Sequence, residues 1–292
     1  MRVETNLQDA PSLSTSRRRR LTIRPPRFSF SNLSNDLHKL IRYRDLLYTL
    51  SVHRVKVRYK QSILGVTWAI IQPVAMAIIL TAIFAFIVRM PSEGLPYVLF
   101  AYVALLPWNY LSTSLTSSTN GFVSHAQLIN KVYFPREILP LTYVAAALFD
   151  FLIASSVLVA LLLYYRVPLT LNLLFVVPIV IVLTIFIIAA ALALSAVQVR
   201  FRDVGVAIPV VLQVLMFASP VLYPLAVVPA RFRSVYQLNP IAGIIEGLRN
   251  AVLHGQAPNL TALLFSALAS IVLLIIAYSY FKRVEATMAD VI

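Results

Sequence analysis

Five stretches of the chain contain no Asp, Glu, Lys or Arg, and each is long enough to cross a bilayer as a helix. These stretches are 62–88, 94–130, 167–199, 204–230 and 250–281. A helix needs about 20 apolar residues to cross about 30 Å of hydrocarbon. A sixth stretch, 138–165, is interrupted only by Asp150. Because lipid-exposed backbone must satisfy its own hydrogen bonds, the pattern predicts an all-α integral membrane protein with about six transmembrane helices.

The same pattern divides the chain into three regions. Residues 1–35 are rich in Ser, Arg, Pro and Asn and are predicted to be a disordered basic cytoplasmic tail. Residues 36–62 precede the first span, and residues 63–292 form the transmembrane domain. Its predicted spans are 66–88, 97–119, 141–164, 174–198, 206–223 and 260–281, with a non-spanning outer segment at 224–258.

The region before the first span has an amphipathic pattern. On a helical wheel one face carries the apolar residues and His53, and two pairs of basic residues flank it. The face holds Tyr43, Leu46, Leu47, Leu50, His53 and Val57, and its flanks hold Arg54 with Arg58 and Lys56 with Lys60. Residues 54–60 also alternate like a strand, so periodicity alone leaves both structures open. A lone strand would have no partner, so we predict a basic helix lying in the cytoplasmic interface.

Composition and charge agree with a membrane protein. Sixty per cent of the residues are hydrophobic and 12% are charged, and the net charge is +14. Fourteen of the 25 Lys and Arg residues lie within the first 60 positions. The positive-inside rule therefore places both termini in the cytoplasm, although beyond Lys60 the basic residues divide almost evenly between the two sides. The concentration of basic residues before the first span indicates contact with membrane lipid and not binding of nucleic acid.

No motif indicates an enzyme. His38, His53, His125 and His254 are scattered without the spacing of metal ligands, and no glycine precedes a lysine. The chain therefore lacks the Gly-Lys-Ser/Thr turn of a P-loop. We expect no metal and no cofactor in this chain, and any ATP hydrolysis would belong to a separate subunit.

Polar residues inside the predicted spans are candidates for a channel or a buried polar site. They are Tyr102, Trp108, Asn109, Tyr110, Asp150 and Gln213. Asp150 is the only carboxylate within a predicted span, where an ionisable residue indicates function by default. A structural role, in which a hydrogen-bonded Asp holds helices together, remains equally open. The second span also has a Ser/Thr face that is expected to face other helices or a wet passage.

Two segments outside the spans also have functional patterns. Between the second and third spans lie Lys131, Tyr133, Phe134, Pro135, Arg136 and Glu137. Aromatic residues and Arg are enriched at interface hot spots, and the alternative is an ordinary interfacial belt. The outer segment contains Asn239, Pro240, Gly243, Glu246, Gly247 and Arg249. Its Gly-xxx-Gly pair allows close helix approach, and its charges favour a short helix that dips into the outer surface.

Five motifs, in this order and spacing, resemble those of one family. They are 58–65 (RYKQSILG, continuing to Trp68 and Pro73), 131–137 (KVYFPRE, with Leu139 and Pro140), 199–204 (VRFRDV), 218–224 (ASPVLYP) and 238–249 (LNPIAGIIEGLR). The chain is similar, from about residue 42 to its end, to the membrane subunits of type-2 ABC transporters that export cell-surface polysaccharides such as O-antigen, capsule and teichoic acid.

The resemblance implies a multi-pass permease of the bacterial inner membrane. Two copies would form a homodimer with a channel between them, and two ATPase subunits would bind ATP and Mg²⁺ on the cytoplasmic side. The substrate would be a lipid-linked glycan. The segment 131–137 would couple to the ATPase, the helix carrying Arg54 to Lys60 would rest beside it, and the segment 239–254 would form the outer gate. A drug or lipid efflux permease and an ion-coupled secondary transporter centred on Asp150 are the alternatives.

Overall fold

The computed structural model describes residues 38–60, 62–125, 127 and 134–291. The predicted tail at 1–35 lies outside these residues. All regular secondary structure in the described part is helical. We number the helices α1 (Arg44–Tyr59), α2 (Trp68–Thr81), α3 (Tyr97–Thr119), α4 (Gly121–Ser124), α5 (Ile138–Tyr164), α6 (Val176–Arg200), α7 (Val204–Ala218), α8 (Ala230–Gln237), α9 (Pro240–Val252) and α10 (Leu260–Val291).

Within the described residues, five helical segments are long and apolar enough to cross a membrane. They are Gly65–Ile87, which contains α2 between a 3-10 turn and a π turn, and then Tyr97–Thr119, Ile138–Tyr164, Leu171–Arg200 and Leu260–Glu285. These segments confirm the all-helical membrane architecture predicted from the pattern of charges.

The predicted span at 206–223 is shorter than expected. Helix α7 has 15 residues, which at 1.5 Å per residue is about 22 Å, less than the hydrocarbon thickness. It ends at Ala218 because Pro220 excludes its predecessor from the helical region, and Ser219 has φ −112° and ψ 153°. The part of the chain that the structure describes therefore has five long spans and one short apolar helix.

Helix α3 forms the centre of the bundle. In its most apolar window 78% of the residues are buried, against 17–28% in the other four spans. It packs against α2, α5, α6, α7 and α9. Ser114, Ser118 and Thr119 on its polar face are fully buried. A Ser/Thr face is costly in lipid, so the most polar span occupies the position with least lipid contact.

Helix α1 packs against α5, and two of its basic side chains turn towards α5. Arg54 Nε donates to Thr142 Oγ1 at 2.6 Å, and Arg58 forms an ion pair with Asp150. Arg54 and Arg58 follow Leu50 at intervals of four residues, so all three lie on one face of α1. Of the four basic residues predicted to flank the apolar face, Lys56, Arg58 and Lys60 remain exposed, whereas Arg54 is half-buried.

Candidate functional site

A polar cavity of about 480 Å³ lies between α1, α3, α5 and the start of the first span. Its lining combines one ion pair, several amides and hydroxyls, and four aromatic rings. The polar and aromatic lining residues are Arg58, Tyr59, Trp68, Gln72, Asn109, Tyr110, Thr113, Ser117, Asp150 and Phe151. Such a lining can donate and accept many hydrogen bonds and offers flat apolar faces.

Both carboxylate oxygens of Asp150 are bound by the last turn of α1. Arg58 pairs with Oδ2, and the Tyr59 hydroxyl donates to Oδ1 at 2.6 Å. Burial, together with the neighbouring Asp150, raises the pKa of Tyr59 to about 12. Tyr59 therefore stays protonated at neutral pH and keeps donating. Asp150 is held by two partners and is not a free carboxyl group in the middle of the membrane.

The other predicted channel residues separate into three groups. Asn109 and Tyr110 line the cavity with Asp150, and the Tyr110 hydroxyl donates to Thr184 at 3.3 Å. Tyr102 is buried in helix packing, where its hydroxyl donates to the carbonyl of Ala154 at 2.9 Å. Trp108 is buried and Gln213 is exposed on α7, and neither residue lines the cavity.

The segment before α5 is fixed to the end of α10. Phe134 is 6% exposed and lies in an apolar cluster. We call this the Phe134 cluster, and its buried members include Phe122, Phe134, Ile138, Leu139, Phe281 and Met288. Phe134 therefore packs inside its own subunit, which corrects the expectation that its ring is available to a partner.

Charged groups around Glu137 reinforce this attachment. Glu137 is 2% exposed and forms an ion pair with Lys282, which also bonds Glu285 at 2.9 Å. Arg136 Nη1 donates to the carbonyl of Glu285 at 2.5 Å. Burial raises the pKa of Glu137, and Glu285 raises it further. Pro135 is half-buried beside them, whereas Lys131 and Tyr133 lie outside the described residues.

In the outer segment, Arg249 is a buried structural residue. Its side chain is 1% exposed, and its guanidinium lies 3.7 Å from the centre of the Phe100 ring. Nη1 donates to the carbonyls of Pro220 at 2.6 Å and Tyr223 at 3.3 Å, and Nη2 donates to that of Val221 at 2.8 Å. Arg249 thus supplies donors to the non-helical chain that follows α7.

The side chain of Asn239 caps the start of helix α9. Asn239 Oδ1 accepts from the backbone N–H of Ile241 at 3.0 Å, and Pro240 occupies the first helical position. Asn and Pro are favoured at these two positions. Gly243 and Gly247 follow on α9, and Gly243 lies against α10 beside Ser266. Glu246 is half-buried, and burial raises its pKa.

Sequence reasoning missed the partners of these residues more often than the residues themselves. Tyr59 stands next to Arg58 in the first motif but was not identified as a site residue. Lys282, which follows the last predicted span and pairs with Glu137, was not identified as a site residue either. Both contacts join parts of the chain that are about 90 or more positions apart, so no local pattern indicates them.

Comparisons with known proteins agree with this architecture. Residues 45–253 match the ABC-2 type transporter family. An O-antigen export system permease protein of Myxococcus xanthus is 30% identical over 87% of this chain and 98% of its own length. One of Klebsiella pneumoniae is 28% identical over 85% and 95%, and a polysialic acid transport protein of Escherichia coli is 26% identical over 82% and 93%. The matched region covers α1 to α9, so the chain belongs to the ABC-2 type transporter family, as a multi-pass permease of the inner membrane.

Proposed function

We propose that this chain is the permease subunit of an ATP-driven exporter of lipid-linked cell-surface polysaccharide. The observation that carries the proposal is the similarity to relatives named for O-antigen export and polysialic acid transport. The alignments with these relatives cover 82–87% of the chain.

The lining of the cavity supports a hydroxyl-rich substrate. Gln72, Asn109, Thr113 and Ser117 supply amide and hydroxyl groups that both donate and accept hydrogen bonds. Trp68 at the edge of the cavity adds a half-exposed ring that can stack on a sugar face. A purely apolar drug would leave these polar groups without partners, at a cost for each buried group.

Two copies of the chain would form the complete channel, and two separate ATPase subunits would drive it. Because this sequence contains no P-loop, we assign ATP hydrolysis to these separate subunits. We assign contact with the ATPase to the segment that contains Lys131, Tyr133, Pro135 and Arg136, and to the exposed Lys56 and Lys60 of α1. Phe134 and Glu137 would fix this segment to α10. The outer gate would be α9, whose start is set by Asn239 and Pro240.

The proposed function is tested by measuring the polysaccharide at the cell surface. In a strain that lacks the gene for this chain, we expect the polymer to accumulate inside the cell. Re-expression of this chain together with its ATPase should restore the surface polymer, and an ATPase inactivated in its P-loop should not. Normal surface polysaccharide in the deletion strain would contradict the proposal.

The same strains distinguish the alternatives. Export that persists without the ATPase and collapses with the proton gradient would indicate an ion-coupled carrier. Unchanged polysaccharide with altered drug sensitivity would indicate an efflux permease. The two partners of Asp150 argue against a proton carrier, because such a residue must exchange its proton freely during transport.

A further inference from the structure

Helix α1 contacts the rest of the subunit at three successive levels. Near its start, Leu46, Leu47 and Leu50 pack against the Phe134 cluster. One turn later, Arg54 bonds Thr142, and its guanidinium lies 3.5 Å from the centre of the Tyr143 ring. A further turn on, Arg58 and Tyr59 reach Asp150. Helix α1 therefore extends from the Phe134 cluster, where α5 begins, to the cavity.

The contact at Asp150 is the last fixed point of α1. The helix ends at Tyr59, and Lys60 is already extended with ψ 133°. The side chains of Arg58 and Asp150 are 33% and 19% exposed, so the ion pair lies partly withdrawn from solvent on the wall of the cavity. By contrast, the ion pair of Arg44 and Asp45 on the same helix is 76% and 94% exposed. Ion pairs of that exposed kind contribute little to stability.

We propose that Arg58 and Tyr59 are positioning residues. Their ion pair and hydrogen bond with Asp150 hold the end of α1 in place as a wall of the cavity. The cavity widens only when the ion pair separates. Only the role of this contact in transport rests on the proposed function, in which the cavity is part of the substrate path. A displacement of the Phe134 cluster would reach the cavity through α1, because a helix of four turns moves as a rigid rod.

The absence of cysteine from the sequence allows a direct measurement of the width of the cavity. A single cysteine introduced as Thr113→Cys lies in the lining, and its rate of reaction with a bulky maleimide reports access to the cavity. The full chain is purified and placed in lipid nanodiscs. We expect Arg58→Ala and Asp150→Asn each to raise the rate at least about three-fold, a typical coupling between residues in direct contact. Tyr59→Phe should give a smaller rise, because it removes only one hydrogen bond.

The matched control is Arg44→Ala, which removes an exposed arginine from the same helix and should leave the labelling rate unchanged. The decisive variant is the charge swap Arg58→Asp with Asp150→Arg, which rebuilds an ion pair and should return the rate towards that of the parent. Gel filtration and thermal unfolding establish that each variant is folded. If the charge variants do not fold, the proposal is tested with Tyr59→Phe, which keeps the aromatic ring and removes only the hydroxyl.

Unchanged labelling in Arg58→Ala, Asp150→Asn and Tyr59→Phe would overturn the proposal, as would fast labelling that the charge swap does not slow. The assay needs neither ATPase nor polysaccharide, so its outcome is independent of the proposed function. A labelling response as expected, with no polysaccharide export by the parent chain, would refute the function and leave the positioning role in place.

Discussion

At the scale of single residues, Arg249 shows how a charge is accommodated in this fold. Burial lowers the pKa of Arg249 to about 10, so the side chain is still protonated at neutral pH. Its donors reach three carbonyls on the chain after α7, where no helix supplies partners. The guanidinium fork serves several acceptors at once, which a lysine ammonium on its flexible stem does less well.

We therefore expect Arg249→Ala to destabilise the protein by about 3 kcal/mol, because buried carbonyls lose a charged donor. Arg249→Lys should give an intermediate loss. Thermal unfolding of the purified protein in detergent measures both. Arg231→Ala, which removes an exposed arginine from α8, is the control and should change stability by less than about 0.5 kcal/mol. Equal Tm values for the Arg249→Ala and Arg231→Ala variants would contradict this role.

The sequence identified most of the polar residues of the candidate site. It could not identify the residues that they contact. Asp150 was predictable because a carboxylate within an apolar run is rare. Its pairing with Arg58 was not, because it depends on how α1 is oriented against α5. Phe134 was misjudged for a related reason. An aromatic residue among charges is typical both of a docking surface and of a ring packed beneath it, and only tertiary packing separates the two.

At the scale of helices, α9 and α10 approach each other closely at Gly243. A Cβ added there would lie 2.6 Å from Ser266 Oγ and 3.2 Å from the carbonyl oxygen of Ala262. Ser266 cannot move away without cost, because its hydroxyl already bonds the carbonyls of Pro240 and Ala262, each at 3.0 Å. At Gly247 the nearest atom is Ile179 Cδ1 at 3.3 Å, the free end of a flexible side chain.

The two glycines should therefore respond differently to the same substitution. Overpacking costs about 1–3 kcal/mol, so Gly243→Ala should lower the Tm. Gly247→Ala should leave the Tm unchanged or raise it, because alanine favours a helix by up to about 1 kcal/mol over glycine. Thermal unfolding of the pair measures the difference. Equal decreases in Tm for the two variants would show that the contact between α9 and α10 at Gly243 is no tighter than the packing at Gly247.

The Phe134 cluster joins α1, α5 and α10 and should be sensitive to the volume of its central ring. Phe134→Ala should cost about 3–5 kcal/mol through the cavity it leaves. Phe134→Leu keeps most of the volume and should cost less than about 1.5 kcal/mol. Thermal unfolding, with limited proteolysis of the end of α10, follows both. If Phe134→Ala unfolds like the parent while ATPase coupling is lost, the ring contacts the partner after all.

Hydropathy predicted the helices well because a bilayer leaves few other solutions for long uncharged runs. It failed at 206–223, where Ser219 and Pro220 end the helix although the apolar character continues. It predicted α1 as a helix, which the structure confirms, but the same pattern fits a helix on a membrane surface and one on a protein surface equally well. The exposed Val57 and His53 show that the apolar face of α1 is only partly used in the subunit.

At the scale of the whole molecule, side-chain contacts gather the connecting segments at two opposite ends. His254 bonds Glu93 at 2.9 Å, and Asn172 donates to the carbonyl of Gly255 at 2.6 Å. These two contacts join the segments that follow α2, α5 and α9. At the other end, Arg136 reaches the end of α10, and Gln198 donates to the carbonyl of Arg202. The second end also carries Lys282 and Arg283, so the positive-inside rule places it in the cytoplasm.

This orientation can be tested with single cysteines at exposed positions of the two ends. Gln256→Cys should react with a membrane-impermeant maleimide in intact spheroplasts, because its segment faces outwards. Arg202→Cys should react only after the membrane is opened, and the cysteine-free parent shows the background. The reverse pattern would place the Phe134 cluster outside the cell, where no ATPase could reach it, and would remove the physical basis for ATP-driven transport by this chain.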